Sequence, residues 1–155
     1  MSFLTNPDFK DLLTALEGAK AQYLVVGGHA VGVHARPRTT KDLDIWIGEE
    51  PENRRRVVEA LRMFGAPKAV CRHLEQAGPD DIVWFGRAPN RVDFLQRLPG
   101  VTFESALSRA ARTDAFGLPV PVISIADLIA NKRAVGREQD LRDVRALERA
   151  QERER

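Results

Sequence analysis

Amphipathic helical stretches interleaved in mixed order with short β-rich apolar runs place this chain in the α+β class, as an α/β-like mixed β-sheet packed with helices, mostly on one face. Two further observations make it a single domain. Its 155 residues, 43% hydrophobic and 30% charged, suffice for one buried core, and no repeat or linker divides them. The domain is expected to occupy residues 1–150, with a charged tail over 151–155 that frays.

The elements follow from local punctuation. Asn6 as N-cap and Pro7 at the first helical position open a helix that buries Phe9, Leu12, Leu13 and Leu16 and closes near Gly18. Gln22-Tyr23-Leu24-Val25-Val26 is a strand ended by Gly27-Gly28, and His29 to Ala35 reads as a short helix. Lys41 to Ile47 is the next strand. Pro51 starts an amphipathic helix with Val57, Val58, Leu61 and Phe64 inward, stopped by Gly65-Ala66-Pro67, and a second helix spans Lys68 to Gln76. Asp81-Ile82-Val83-Trp84-Phe85 and Asn90-Arg91-Val92-Asp93-Phe94-Leu95 are strands joined by a hairpin link at Gly86-Arg87-Ala88-Pro89. Phe103 to Ala111 reads as helix, and Ala115 to Val122 as extended chain with a turn. Ser124, with Asp127 three residues on, caps a helix over Leu128–Lys132, and a charged helix runs from Glu138 into the tail.

Composition excludes several classes. The start Met1-Ser2-Phe3-Leu4-Thr5-Asn6 lacks the basic and apolar segments of a signal peptide, and no stretch is long and apolar enough to span a membrane. Cys71 is the sole cysteine, which excludes an internal disulfide and suits a reducing cytosol, so a cytoplasmic protein is expected. His29, His34 and His73 share no zinc-ligand spacing. A net charge of +2 and a pI near 9.0 give no dense basic patch, and the Arg54-Arg55-Arg56 run reads as a solvated helix face.

The chemistry concentrates in acids on strands. Side chains alternate along a strand, so Asp42, Asp44 and Trp46 share one face, and Leu43, Ile45 and Ile47 the other. Two like charges on one face of a strand carry a local cost, which a hard divalent cation with oxygen ligands offsets. Asp93 points away from Val92 and Phe94, and an antiparallel neighbour would set it beside the Asp42/Asp44 face. Upstream, the unit of strand, Gly27-Gly28 and helix lets backbone approach a ligand and turns free amides toward an anion.

Taken together, Gly27-Gly28, Asp42-x-Asp44 and the later strand residue Asp93 resemble the nucleotidyltransferase superfamily that includes DNA polymerase β. Within it, Gly27-Gly28-His29-Ala30 through Arg38-Thr39-Thr40-Lys41-Asp42-Leu43-Asp44-Ile45, with Asn131-Lys132 and the Arg137 to Asp143 segment, look like the abortive-infection and toxin–antitoxin nucleotidyltransferases. The resemblance covers residues 22–147. It departs from many relatives at Gly28, where they carry a serine hydroxyl.

The resemblance implies a nucleotidyltransferase fold and a Mg²⁺-dependent transfer of NMP from an NTP to a protein or RNA hydroxyl, with two ions held by Asp42, Asp44 and Asp93. These three acids are the candidate catalytic residues. Gly27, Gly28, Arg38, Thr40 and Lys132 are the candidate nucleotide contacts, and Lys132 is set against the plainer expectation of a solvated helix residue. Arg137, Asp140 and Asp143 are expected to form an ion-pair network within the last helix. A chain this small leaves the acceptor to be held by the core, a second copy or a cognate toxin or antitoxin partner. The alternatives are an antibiotic nucleotidyltransferase of the aminoglycoside or lincosamide type, and a non-catalytic module that binds nucleotide or a partner.

Overall fold

The computed structural model describes residues 6–37 and 39–154. Among them, seven helices surround one six-stranded mixed sheet. The helices are α1 (Pro7–Gly18), α2 (Gly27–His34), α3 (Pro51–Phe64), α4 (Lys68–Gln76), α5 (Phe103–Ser108), α6 (Ile125–Val135) and α7 (Glu138–Glu154). The strands are β1 (Leu24–Val26), β2 (Asp42–Trp46), β3 (Val83–Phe85), β4 (Arg91–Leu95), β5 (Ala111–Ala115) and β6 (Leu118–Val122), in spatial order β3-β4-β2-β1-β6-β5. This is the expected α+β fold.

The helix ends are set by the residues that the sequence marks out. The Asn6 side chain accepts from the Asp8 amide at 3.0 Å, and Pro7 begins α1 without losing a needed donor. Ser124 accepts from the Asp127 amide at 3.2 Å to open α6, and α3 stops at Gly65, whose φ of 91° suits a residue without a Cβ. α1 packs on α3 and α3 on α4, while α2, α6 and α7 pack on one another. The helix α7 runs on through the charged tail to Glu154.

Alternation splits the half of the sheet formed by β2, β4 and β3. Leu43, Ile45, Val83, Val92 and Phe94 are buried in the core, whereas Asp42, Asp44, Asp93 and Trp84 take the opposite face. Trp46 shares that second face but is buried, edge-on to Phe103 at 5.2 Å and donating from Nε1 to the Gln96 carbonyl at 3.0 Å. A buried Asn53 on α3 ties the entry to β1 to the exit from β2. It accepts from the Gln22 amide at 2.7 Å and donates to the Gln22 and Ile47 carbonyls, each at 2.8 Å. Three backbone groups that the sheet leaves over are thereby satisfied.

Two expectations are corrected. β4 pairs with β2 in parallel, not antiparallel, with Asp44 opposite Asp93. The helix expected to reach Ala111 ends at Ser108, and Ala111–Ala115 is an edge strand paired antiparallel with β6. The sequence there, Ala-Arg-Thr-Asp-Ala, has low strand propensity; tertiary pairing with β6 overrides it. Pro119 and Pro121 obscure β6 itself, since neither donates to a ladder. No helix among the described residues is long and apolar enough to cross a membrane.

Candidate functional site

Two neighbouring strands bring three carboxylates together. The register Asp44↔Asp93 in β2 and β4, with Asp42 two residues before Asp44, leaves one oxygen of each acid within 4.8 Å of the others. All three are half-buried. Oxygen donors at this spacing match what a hard divalent cation takes.

The first turn of α2 closes one side of the cluster. Gly27 has a φ of +68°, and a Cβ built there would lie 2.2 Å from Asp44 Oδ2. Glycine is therefore required twice, for the left-handed backbone and for the space against the carboxylate. Gly27→Ala is expected to cost about 1–2 kcal/mol from backbone conformation alone, with more from displacing Asp44; urea unfolding measures the loss.

The same cleft, about 280 Å³, is lined by Gly27, Gly28, Thr40, Asp42, Asp44 and Lys132. Thr40 donates from Oγ1 to the Asp42 carbonyl at 3.1 Å, so its hydroxyl shapes the start of β2. Arg38 lies outside the described residues. A roomier depression of about 620 Å³ around Trp46, Ile82 and Phe103 adjoins the cleft along Leu95, Arg97, Leu98 and Pro99. The smaller cleft is the one that Asp42, Asp44 and Lys132 line.

Arg91 is a site residue that the sequence reading passed over. Its Nε donates to Asp93 Oδ1 at 2.7 Å and lies 3.7 Å from Asp42 Oδ1, and its guanidinium rests 4.2 Å over the Trp84 ring. One guanidinium against three acids leaves a local excess of negative charge. The signal was present in the strand alternation, because residues 91 and 93 share a face.

Lys132 is buried, and both of its close partners are on α7. Nζ sits 3.3 Å from Asp140 Oδ1 and 3.1 Å from Asp143 Oδ2. The expected Arg137–Asp140 pair forms, but Asp143 meets Lys132 of α6 instead of Arg137, so the network runs between helices. Arg137 does join it, donating from Nε to Asp140 Oδ2 at 2.7 Å. Burial alone would raise the Asp140 pKa, but hydrogen bonds from Arg137 and Lys132 outweigh it and hold the carboxyl below its usual range. α6, which carries Lys132, is itself anchored by a two-pronged Arg109–Asp127 pair at 2.9 and 3.0 Å and by Asn131 donating to the Pro99 carbonyl at 3.0 Å.

Of the other residues weighed, His29 is buried edge-on to Phe9 at 6.0 Å, His34 Nε2 lies 2.6 Å from the Ile123 carbonyl, and Cys71 is a buried thiol.

Crowding of charge shifts Asp44. Desolvation, then the neighbouring Asp93 and Asp42 carboxylates, push its pKa from 3.8 up to about 7, against the opposing pull of Lys132 and Arg91. The sign of the consequence is fixed. Between pH 3.8 and about 7 the unfolded chain ionises Asp44 while the folded chain keeps the proton, so this group's contribution to stability falls as pH rises through that window and levels off above it. A divalent cation held by these acids would compete with that proton. Mg²⁺ is therefore expected to raise the melting temperature more at pH 8 than at pH 5, as thermal melts with and without the ion would read; an equal rise at both pH values would remove Asp44 from metal binding.

No protein-family model matches the chain, and no curated protein matches it.

Proposed function

We propose that this protein is a Mg²⁺-dependent nucleotidyltransferase that moves NMP from an NTP to a hydroxyl of a protein or RNA acceptor. The observation that carries the reading is the convergence of Asp42, Asp44 and Asp93 on one another, with Asp44 against Gly27 and Asp42 and Asp44 lining the cleft beside it. A toxin–antitoxin or abortive-infection setting rests on the sequence resemblance alone. When bound, Mg²⁺ would neutralise the triphosphate and make the acceptor hydroxyl more acidic.

The chain's own residues divide the remaining work. Asp42, Asp44 and Asp93 would hold the metal, and Asp93, whose carboxylate Arg91 pairs with, would also take the acceptor's proton; their mutual spacing supports this division. Gly27 and Gly28, at the start of α2, let backbone amides face the triphosphate. The acceptor oxygen bonds to the α-phosphorus, the bond from that phosphorus to its bridging oxygen breaks, and pyrophosphate leaves with the electron pair. Lys132 stands in the cleft wall with Arg137, the two cations balancing the Asp140 and Asp143 carboxylates, so its ammonium is the donor nearest the triphosphate and not a source of net positive charge.

The test is transfer of label from each α-labelled NTP, with Mg²⁺, to the proteins and RNAs of a cell extract. Label on either class that disappears in Asp44→Asn supports the reading. Transfer that survives that substitution sinks it.

A further inference from the structure

We propose that Trp84 is a stacking platform for a nucleobase near the 3′ end of a single-stranded RNA acceptor. The choice of RNA as ligand rests on the nucleotidyltransferase reading; the exposure and orientation of Trp84 do not. Sheet register supplies the geometry. Asp44 pairs across to Asp93, and Asp93 pairs across to Trp84, so the three side chains form one row on the same face of β2, β4 and β3. β3 is the outer strand, and Trp84 is 50% exposed there, next to Ile82 at 48%. A large aromatic at the open end of an acid row is costly for water to cover and contributes little to the core, which Val83 and Phe85 serve from the other face.

Arg91 fixes the platform's orientation. Its guanidinium lies over the indole at 4.2 Å while Nε is held by Asp93 at 2.7 Å, so the ring's position is locked to the acid that faces the acceptor. Direction along the row then selects the ligand. Gly27 borders Asp44 at the β1 end, which puts the triphosphate there, and in-line displacement brings the attacking hydroxyl from the opposite side. Beyond Asp93 on that side stands Trp84. A base has the flat π-face that an indole backed by a cation stacks best, and exposed Arg87 in the β3–β4 link adds positive charge for the adjoining phosphate.

The experiment measures polarisation of a short 5′-labelled oligoadenylate with a free 3′ hydroxyl, in chelator, where no transfer occurs. Removing a base–aromatic stack weakens binding by about 5- to 150-fold, and that loss is expected in Trp84→Ala and in Trp84→Thr, which keeps a strand-forming side chain if the alanine variant does not fold. Trp84→Phe should restore most of the affinity. Displacement of a fluorescent ATP analogue should be the same in all variants. Unchanged RNA affinity in a folded Trp84→Thr overturns the platform, as does wild-type protein that binds no oligoadenylate. A loss confined to the ATP analogue overturns it too, by assigning the stack to the nucleotide's own base. Asp44→Asn separates the two readings: it should bind RNA as wild type does, and if it also retained transfer, the enzyme reading would fail while the stacking result stood.

Discussion

Asp44→Asn is expected to abolish nucleotide transfer while leaving the metal-free protein more stable than wild type at pH 8. The two effects have one origin. Asp44 is driven up to a pKa of about 7 by burial and by Asp93 and Asp42, so at pH 8 the folded chain holds a carboxylate that it would rather neutralise. The amide keeps the shape and removes the charge, for a gain of about 2 kcal/mol after solvent screening. On a domain of this size that is a rise of about 4–8 °C in Tm. Transfer should fall about a thousandfold or more, since the lost ligand forfeits several kcal/mol of charge stabilisation and each 1.36 kcal/mol is tenfold. A residue with a purely structural role would give the opposite pattern, losing stability and activity together. Thermal melts in chelator and a single-turnover transfer assay read both quantities; a less stable Asp44→Asn would contradict the electrostatic account of this cluster.

The acid row was legible because strand alternation is a short-range rule. Asp42 and Asp44 had to share a face, and Leu43 and Ile45 had to oppose them, whatever the neighbours. Pairing is a long-range matter. Nothing local to Asn90–Leu95 distinguishes a parallel partner from an antiparallel one, so Asp93 was placed beside Asp44 with the wrong strand direction. Helix starts at Asn6, Pro51 and Ser124 were readable for the same local reason, whereas β5 was not, because its polar residues acquire strand structure only by pairing with β6. Lys132 shows the limit most clearly. Spacing could place Asp140 and Asp143 on one side of α7, but which cation they meet depends on how α6 folds back across them.

Lys132→Met is expected to destabilise the protein by about 3–5 kcal/mol, because it removes the cation that bridges two buried carboxylates. Asp140 and Asp143 are 1% and 3% exposed; Arg137 pairs with the first, and the Gln139 amide donates to the second at 2.9 Å. Methionine fills much the same volume, so the loss is electrostatic and not a cavity effect. Asp140 is held below its usual pKa, so its share of stability is present above the ordinary carboxylate range and lost as pH falls through the folded value. The deficit of Lys132→Met should accordingly shrink in acid, where protonation neutralises the Asp140 carboxyl. Neutralising both carboxyls by substitution does the same at pH 7: Lys132→Met with Asp140→Asn and Asp143→Asn should recover most of the lost stability, far from the sum of the single changes. That triple variant also isolates the chemistry of the cleft wall. If Lys132 serves the triphosphate as well as the α6–α7 contact, the refolded triple variant will bind NTP more weakly than wild type; if its affinity is unchanged, Lys132 is a structural ion and the triphosphate depends on Gly27, Gly28 and the acid row alone.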